Sequence, residues 1–309
     1  MSSILSDKRF HDEKAAYAYV ESRVWPEGPV CPHCGCMERV GKLEGKSTRI
    51  GVYKCYECRK PFTVKVGTIF EDSHVKLHIW LQAIHLMCAS KKGISSNQLH
   101  RTLGVTLKTA WFMSHRIREA MAPHGMLPPL GGEGKTVEVD ETYIGNKGKQ
   151  APGARGWSHK EKVLSLVERG GKVRSTHVQH VNAETLRPIL NEQIAAESRL
   201  MTDEARVYSP LGKDFAAHDI VNHSINEYVR GDAHTNTIEG YFSIFKRGMK
   251  GVYQHCSGRH LKRYLAEYDF RYNEREALGV NDLDRADTAL KGIIGKRLTY
   301  ETANKEARA

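Results

Sequence analysis

The chain has 309 residues, 40% hydrophobic and 27% charged, a length that suits two or three domains with buried cores. Lysine and arginine number 47 against 36 aspartates and glutamates, which gives a formal net charge of +11. This excess favours a polyanionic partner, and nucleic acid is a better candidate than an anionic membrane surface. No apolar run reaches the length of a membrane span and the N-terminus mixes charges, so we expect a cytoplasmic protein without a membrane partner.

An N-terminal unit, residues 1–70, is predicted to combine a helix with a cysteine-rich segment. Residues 12–23 have the composition of a polar helix, and the prolines and glycine that follow Trp25 oppose its continuation. Five of the seven cysteines lie between Cys31 and Cys58. An odd, clustered count argues against a secreted disulfide framework and favours a metal site in a reducing compartment.

The cysteines form two Cys-x-x-Cys pairs with the spacing of a zinc ribbon, a small metal-stapled β-sheet. Zinc takes four thiolates tetrahedrally, and such a site leaves no position for a substrate, so we predict one structural Zn²⁺ per chain. Buried reduced cysteines are the alternative, and His33 or Cys36 could also replace one ligand. The predicted ligands are Cys31, Cys34, Cys55 and Cys58.

Residues 71–122 are predicted to form a helix-turn-helix segment. Apolar residues recur at helical spacing from Leu77, Ser95 can cap a short second helix, and Thr106 can cap a third helix after a turn at Gly104. Basic residues on or near the third helix are predicted to contact DNA phosphates, although a packing hairpin with solvated cations explains the same pattern. These residues are Lys108, Arg116 and Arg118.

A linker rich in proline and glycine, residues 123–135, precedes a predicted α/β domain at 136–309. Strands followed by alternating helices and strands suit a mixed five-stranded sheet covered by helices. The predicted strands are 136–144, 162–169, 172–181, 198–202 and 218–222. The predicted helices are 182–194, a short one at 204–211, and two longer basic ones at 236–250 and 260–273.

Acidic residues occupy positions in this domain where chemistry is expected. Asp140 lies inside a strand, Asp203 directly follows another, and Glu239 opens a long helix. Each alone is most simply a solvated carboxylate. Together they could converge on two Mg²⁺ ions, which prefer oxygen ligands and promote phosphodiester chemistry. Lys246 follows Glu239 by nearly two helical turns, so it lies on the same helical face and can meet DNA phosphate.

These motifs together resemble the bacterial insertion-sequence transposases of the Asp-Asp-Glu class, in the group with an N-terminal zinc ribbon ahead of a ribonuclease-H-like catalytic domain. The resemblance covers nearly the whole chain. Its motifs are WP at 25–26, CPHC at 31–34, GTIF at 67–70, TAWFM at 109–113, VDETYIG at 139–145, TDE at 202–204, HTNTIEG at 234–240 and FKRG at 245–248.

The resemblance implies DNA cleavage and strand transfer, with Asp140, Asp203 and Glu239 as ligands of two Mg²⁺, Mn²⁺ being able to substitute, and with Lys246 as a DNA contact. It also implies binding to the terminal inverted repeats of the element and to target DNA, by a protein that is homo-oligomeric on DNA and then associates with the nucleoid. Some relatives have asparagine in the third catalytic place, which makes Asn236 the alternative ligand. We prefer Glu239, because a charged carboxylate holds Mg²⁺ better than an amide.

Basic residues of the 236–250 helix, Arg247 and Lys250 among them, are predicted to hold DNA near the metals, although a solvated basic face is the simpler explanation of each. Two rival functions use the same features. A zinc-ribbon transcriptional regulator would bind DNA and cut nothing. A structure-selective or RNA-cleaving nuclease would keep the metals and lack strand transfer.

Overall fold

The computed structural model describes residues 3–145, 159–222 and 229–299, and the chain divides into two compact units. The first unit contains the residues up to Pro123 and those from Gly279 onward, and the second contains His124–Leu278. The predicted α/β domain extended to the C-terminus, whereas the structure places the residues after Leu278 with the N-terminal helices. None of the described helices is long and apolar enough to cross a membrane.

The N-terminal part of the first unit is a helix followed by a small antiparallel sheet. Helix α1 (Glu13–Val24) begins where the Asp12 carboxylate accepts the backbone N–H of Ala15 at 2.7 Å, and it ends before Pro26. The sheet has the order β1-β2-β3, which confirms the predicted zinc-ribbon architecture. Its strands are β1 (Val40–Lys42), β2 (Tyr53–Cys55) and β3 (Pro61–Phe62).

Three helices follow in the predicted order. The Ser95 hydroxyl accepts a backbone N–H at the start of the second and the Thr106 hydroxyl does so at the start of the third. Between them Gly104 takes the left-handed conformation, with φ of +66°, that ends a helix. The helices are α2 (Leu77–Ala89), α3 (Ser96–Leu103) and α4 (Leu107–Met121).

A final helix, α8 (Asp282–Lys291), packs against α1 and α2 and was not predicted. Arg285 is 8% exposed and donates a hydrogen bond of 2.9 Å to the carbonyl of Cys88 near the end of α2. Asp287 accepts a hydrogen bond of 2.9 Å from the Arg23 Nε of α1. These contacts join α8 to α2 and to α1.

The second unit contains a five-stranded mixed sheet in the order β6-β5-β4-β7-β8. Strands β4, β5 and β6 pair antiparallel, whereas β4-β7 and β7-β8 pair parallel. This arrangement, with a helix between the third and fourth strands, is ribonuclease-H-like and confirms the predicted fold class. The strands are β4 (Thr136–Ile144), β5 (Glu161–Glu168), β6 (Val173–Val178), β7 (Arg199–Asp203) and β8 (Ala217–Val221).

Helices cover both faces of this sheet. Helix α5 (Ala183–Gln193) packs on the face that carries Val137 and Val139. Helices α6 (Asn236–Gly248) and α7 (Gly258–Asn273) pack on the opposite face, and a hairpin of β9 (Val229–Arg230) and β10 (Ala233–His234) leads into α6.

The predicted helix at 204–211 is wrong, because that segment forms turns ahead of a one-turn 3₁₀-helix, Gly212–Asp214. Pro210 has no backbone N–H with which to continue a helix, and a glycine follows two residues later. Tyr208 and Leu211 are nevertheless buried in the core under α5.

Candidate active site and metal centre

The four cysteines of the two Cys-x-x-Cys pairs come together in the first unit. The Sγ atoms of Cys31 and Cys58 are 3.7 Å apart, those of Cys34 and Cys55 are 3.6 Å apart, and all four lie within 4.8 Å of one another. Four sulfurs at about 2.3 Å from one zinc ion would stand about 3.8 Å apart. The cysteine geometry therefore fits Zn²⁺, and Cys36 is not a member of the group.

The four thiols share hydrogen bonds, and their pKa values move in different directions. The pKa of Cys55 is lowered to about 6, first by the backbone N–H of Cys58, whereas the pKa values of Cys34 and Cys58 are raised although each sulfur also accepts a backbone N–H. Tyr53 and Phe62 stack beside the site with ring centroids 5.9 Å apart, and Trp25 meets both edge-on. A ring of aromatic side chains thus surrounds one side of the metal centre.

Asp140 and Asp203 lie on neighbouring parallel strands of the second unit. The last paired residues of β4 and β7 are Glu138 and Met201, and Asp140 and Asp203 each lie two residues beyond that pair on their strands. Neighbouring strands are about 4.8 Å apart. The two aspartates therefore lie the same number of residues beyond the last paired residues of adjacent strands.

Asp140 lies close to two other carboxylates, which affect its pKa. Its pKa is raised to about 8, first by burial and then by repulsion from Glu141 and Asp203, while Lys246 acts in the opposite direction. The lysine of α6 is therefore close enough to affect this carboxyl. A site with this much clustered negative charge is stabilised by bound cations.

Glu141 is a third acid at this place, and the sequence reasoning did not single it out. Its Oε2 accepts a hydrogen bond of 2.5 Å from the Tyr208 hydroxyl, on the sheet face opposite to Asp140. Burial raises the pKa of Glu141, and Asp203 raises it further. The sequence signal that could have identified Glu141 is its place directly after Asp140 in the Val-Asp-Glu-Thr motif.

Glu239 lies in the first turn of α6 and its Oε1 accepts a hydrogen bond of 3.1 Å from the Thr235 hydroxyl. Asn236, the alternative ligand, is exposed at the first position of the same helix. Within the described residues, the cysteine set is the one group of three or more potential ligands with donor atoms inside 4.8 Å. A metal ion shared by Glu239 and the two aspartates therefore requires their carboxylates to draw together.

The predicted DNA contacts divide into two kinds. Lys108, Arg247 and Lys250 are exposed, whereas Arg116 and Arg118 are only 5% and 1% exposed, so these two arginines do not present their guanidinium groups at the surface. Arg118 donates a 3.0 Å hydrogen bond to a serine hydroxyl one turn earlier in α4. The Arg116 guanidinium donates to the carbonyl oxygens of Ile69, Glu71 and Leu298.

A zinc ribbon and a ribonuclease-H-like domain with acids on adjacent central strands define a class of DNA-processing proteins, the insertion-sequence transposases. Comparison with known families specifies the group. Residues 11–61 match the family described as transposase zinc-ribbon domain, and residues 129–273 match the ISXO2-like transposase domain. The chain belongs to this family of transposases.

Two relatives show the likeness, and one solved structure has a much weaker similarity. A protein of Halobacterium salinarum described as an uncharacterized protein in transposable element ISH50 is 31% identical, over 85% of this chain and 92% of that one. An uncharacterized transposase-like protein of Haemophilus influenzae is 29% identical over 34% of this chain and 84% of that one. A chain of the simian T-cell lymphotropic virus intasome in complex with a PP2A regulatory subunit is 14% identical, with a TM-score of 0.28, over 55% of this chain and 63% of that one.

Proposed function

We propose that this transposase cuts DNA at the ends of its insertion sequence and joins those ends to target DNA, with Asp140, Asp203 and Glu239 holding two Mg²⁺ ions. The position of Asp140 and Asp203 on adjacent strands, where both Asp203 and Lys246 act electrostatically on the Asp140 carboxyl, is the observation that carries the proposal. When bound, the metal ions activate a water or a 3′-hydroxyl and stabilise the leaving oxygen of an in-line displacement. Mn²⁺ can replace Mg²⁺ because it accepts the same oxygen ligands.

The chain's own residues supply position and charge. Lys246 bears a cation beside Asp140, where it can hold a phosphate of the strand to be cut. Its Nζ lies 5.6 Å from the ring centroid of Phe242, so the aromatic face supports the ammonium group. Thr235 keeps the Glu239 carboxylate directed by a hydrogen bond from its hydroxyl.

We propose that three parts of the chain bind DNA. They are the N-terminal helix and zinc ribbon (residues 1–70), the helix-turn-helix segment (71–122), and the exposed cations in α6 and in the turn that follows it. Lys108, Arg247 and Lys250 are exposed and remain candidates for phosphate contacts, whereas the buried Arg116 and Arg118 are not. The net charge of +11 supports binding of both the terminal inverted repeats and target DNA. We propose that the protein acts as a homo-oligomer on DNA, since two element ends are joined.

The test is a Mg²⁺-dependent assay on a labelled element end, scored for nicking and for strand transfer. Asp140→Asn, Asp203→Asn and Glu239→Gln each remove a charged oxygen ligand, so we expect loss of both reactions with end binding largely intact. Wild-type protein that bound ends and never cut them would instead be a regulator. Cutting without strand transfer would indicate a nuclease.

Two further variants refine the assignment. Lys246→Ala removes a phosphate contact without removing a metal ligand, so we expect weaker engagement of the cleaved end and some residual catalysis. Asn236→Ala decides the third ligand. Near-normal nicking by Glu239→Gln combined with an inactive Asn236→Ala would give the third place to the asparagine.

A further inference from the structure

The buried carboxylate of Glu138 connects strand β4, which carries Asp140, with helix α6, which carries Glu239 and Lys246. Glu138 precedes Asp140 by two residues on β4, so both side chains are on the same face of the sheet, and Glu138 has no exposed surface. Its Oε1 accepts hydrogen bonds from Arg169 Nε at 2.7 Å and from the Thr237 hydroxyl at 2.8 Å. Its Oε2 accepts the backbone N–H of Ile238 at 2.9 Å.

These contacts cap helix α6 from a different element of the fold. Thr235, the residue at the N-cap position, makes no side-chain hydrogen bond to the helix backbone, because its hydroxyl donates to Glu239. The first turn of a helix has N–H groups without partners and a partial positive charge, both of which a carboxylate satisfies. Glu138 provides this cap, and Ile238, whose N–H it accepts, is the direct neighbour of Glu239.

Arg169 extends the same contact to the chain segment that enters α6. It lies directly after β5 and pairs with Glu138 through its Nε. Its Nη1 donates to the carbonyl of Asp232 at 2.7 Å, and its Nη2 donates to the carbonyl of His234 at 2.6 Å. The Glu138–Arg169 pair therefore holds both the β9-β10 hairpin and the first turn of the helix.

We infer that Glu138 is the positioning residue of the active site, fixing α6, and with it Glu239 and Lys246, in relation to Asp140. This inference rests on the proposed function. A fully buried carboxylate is costly to desolvate, and here the cost is offset by an arginine and two further donors. Two of the donors, Thr237 and Ile238, lie in the first turn of α6, and the third, Arg169, also binds the hairpin that leads into α6. The group therefore connects the strand of one proposed metal ligand to the helix of another.

Substitutions at Thr237 provide the sharpest test, because Thr237→Val keeps the shape of the side chain and removes its hydrogen bond to Glu138, whereas Thr237→Ser keeps the hydroxyl. We expect Thr237→Val to raise the Mg²⁺ concentration for half-maximal nicking roughly fivefold, the effect of one lost hydrogen bond, and Glu138→Gln, which also removes the charge that pairs with Arg169, to raise it further. Thr237→Ser should match the wild type. Independently of activity, amide hydrogen exchange at the start of α6 should become faster in the first two variants.

Glu168→Gln is the matched control. Glu168 is the residue before Arg169, and its carboxylate also accepts a backbone N–H, from Gly131 at 2.9 Å, and a side-chain donor, Lys135 Nζ, at 2.9 Å. It ties down the segment before β4 instead of α6, so its loss should leave the Mg²⁺ dependence and the exchange of α6 unchanged.

The outcomes separate the two proposals. A wild-type protein without Mg²⁺-dependent nicking overturns the proposed function, and hydrogen exchange then still decides whether Glu138 holds α6. If wild type cuts DNA and Thr237→Val behaves as Glu168→Gln does in both measurements, the positioning role of Glu138 is refuted. Should Glu138→Gln fail to fold, the Thr237 pair alone decides.

Discussion

Burial is the first cause that raises the pKa of both Asp140 and Asp269, but their neighbours act in opposite directions. The carboxylates beside Asp140 raise its pKa further, whereas the hydrogen-bond donors around Asp269 of α7 lower its pKa. The Asp269 carboxylate accepts from the Ser175 backbone N–H at 2.7 Å and from the Tyr241 hydroxyl at 2.6 Å. A bound cation would therefore stabilise the negative charge around Asp140. Asp269 instead joins α7 to α6 and to the edge strand β6 through its hydrogen bonds.

The contribution of Asp269 to the free energy of unfolding should depend on pH. Burial raises its pKa from 3.8 to about 6, so folding favours the protonated form. Its contribution is fully present below about pH 4 and is lost as the pH rises through about 6, a change of about 3 kcal/mol at about 1.4 kcal/mol per pKa unit. Denaturant unfolding of wild type and Asp269→Asn between pH 4 and pH 8 measures this difference, which a constant gap between the two proteins would contradict.

Arg116 and Lys108 provide a second contrast within α4. Arg116→Ala should lower the free energy of unfolding by about 3 kcal/mol, because three buried backbone carbonyls lose their donor. Lys108→Ala should leave stability unchanged, weaken DNA binding and reduce its salt dependence. Thermal unfolding measures the stability of the two variants, and DNA-binding titrations at two salt concentrations measure their affinity and its salt dependence. Equal losses of DNA affinity at unchanged stability would mean that Arg116 also contacts phosphate.

Residue types and spacing predicted the cysteine quartet and the acids of the central strands, but not which arginines are buried. The Arg116 guanidinium is buried and donates to the carbonyl oxygen of Leu298, which is 182 residues away in the sequence. No local pattern contains that information. Glu138 escaped attention for the same reason, since its partners lie about thirty and one hundred residues away.

Among the elements, strand β4 and the helix caps followed the sequence most closely. The predicted strand at 136–144 has the observed bounds, and Asn182 caps α5 as Ser95 caps α3. Local signals suffice there, because a cap or an alternating strand is decided by neighbouring residues. The turns at 204–211 and helix α8 were misjudged because tertiary packing decides them: Tyr208 is buried in a turn, and α8 has its partners at the other end of the chain.

The zinc ribbon is the element most dependent on its metal. Its three strands have two or three residues each, and its core holds few apolar side chains, so metal binding should supply its folding free energy. We expect about one zinc per chain by elemental analysis, lost in the double variant Cys55→Ser/Cys58→Ser together with local order in the ribbon. Cys256→Ser is the control, and zinc content that survived the double substitution would show that other ligands hold the metal.

At the scale of the whole molecule, the chain leaves the first unit after Pro123 and returns to it at Gly279. The return is anchored by α8 and by a hydrogen bond of 2.8 Å from the Gly295 N–H to the carbonyl of Gly67. The catalytic unit is thus an insertion within the unit that carries the zinc ribbon and the helix-turn-helix segment.

Removal of the returning segment should destabilise the N-terminal unit and not the catalytic one. A chain that stops at Leu278 loses the Arg285 contact to α2 and the apolar side chains of Ala289 and Leu290, so its first unit should unfold at a lower temperature. The fluorescence of buried Trp80 reports this unit. A chain that stops at Thr299 is the control, and identical melting of both truncations would contradict the structural role of α8.

The return of the chain also bears on the order of events during synthesis. A ribosome must make all of His124–Leu278 before α8 exists, which at about 5–20 residues per second takes roughly eight to thirty seconds. Throughout that interval the surfaces of α1 and α2 that α8 will cover are without their partner. The unit that is translated first is therefore completed last, and the second unit can fold on the nascent chain before the N-terminal unit is complete.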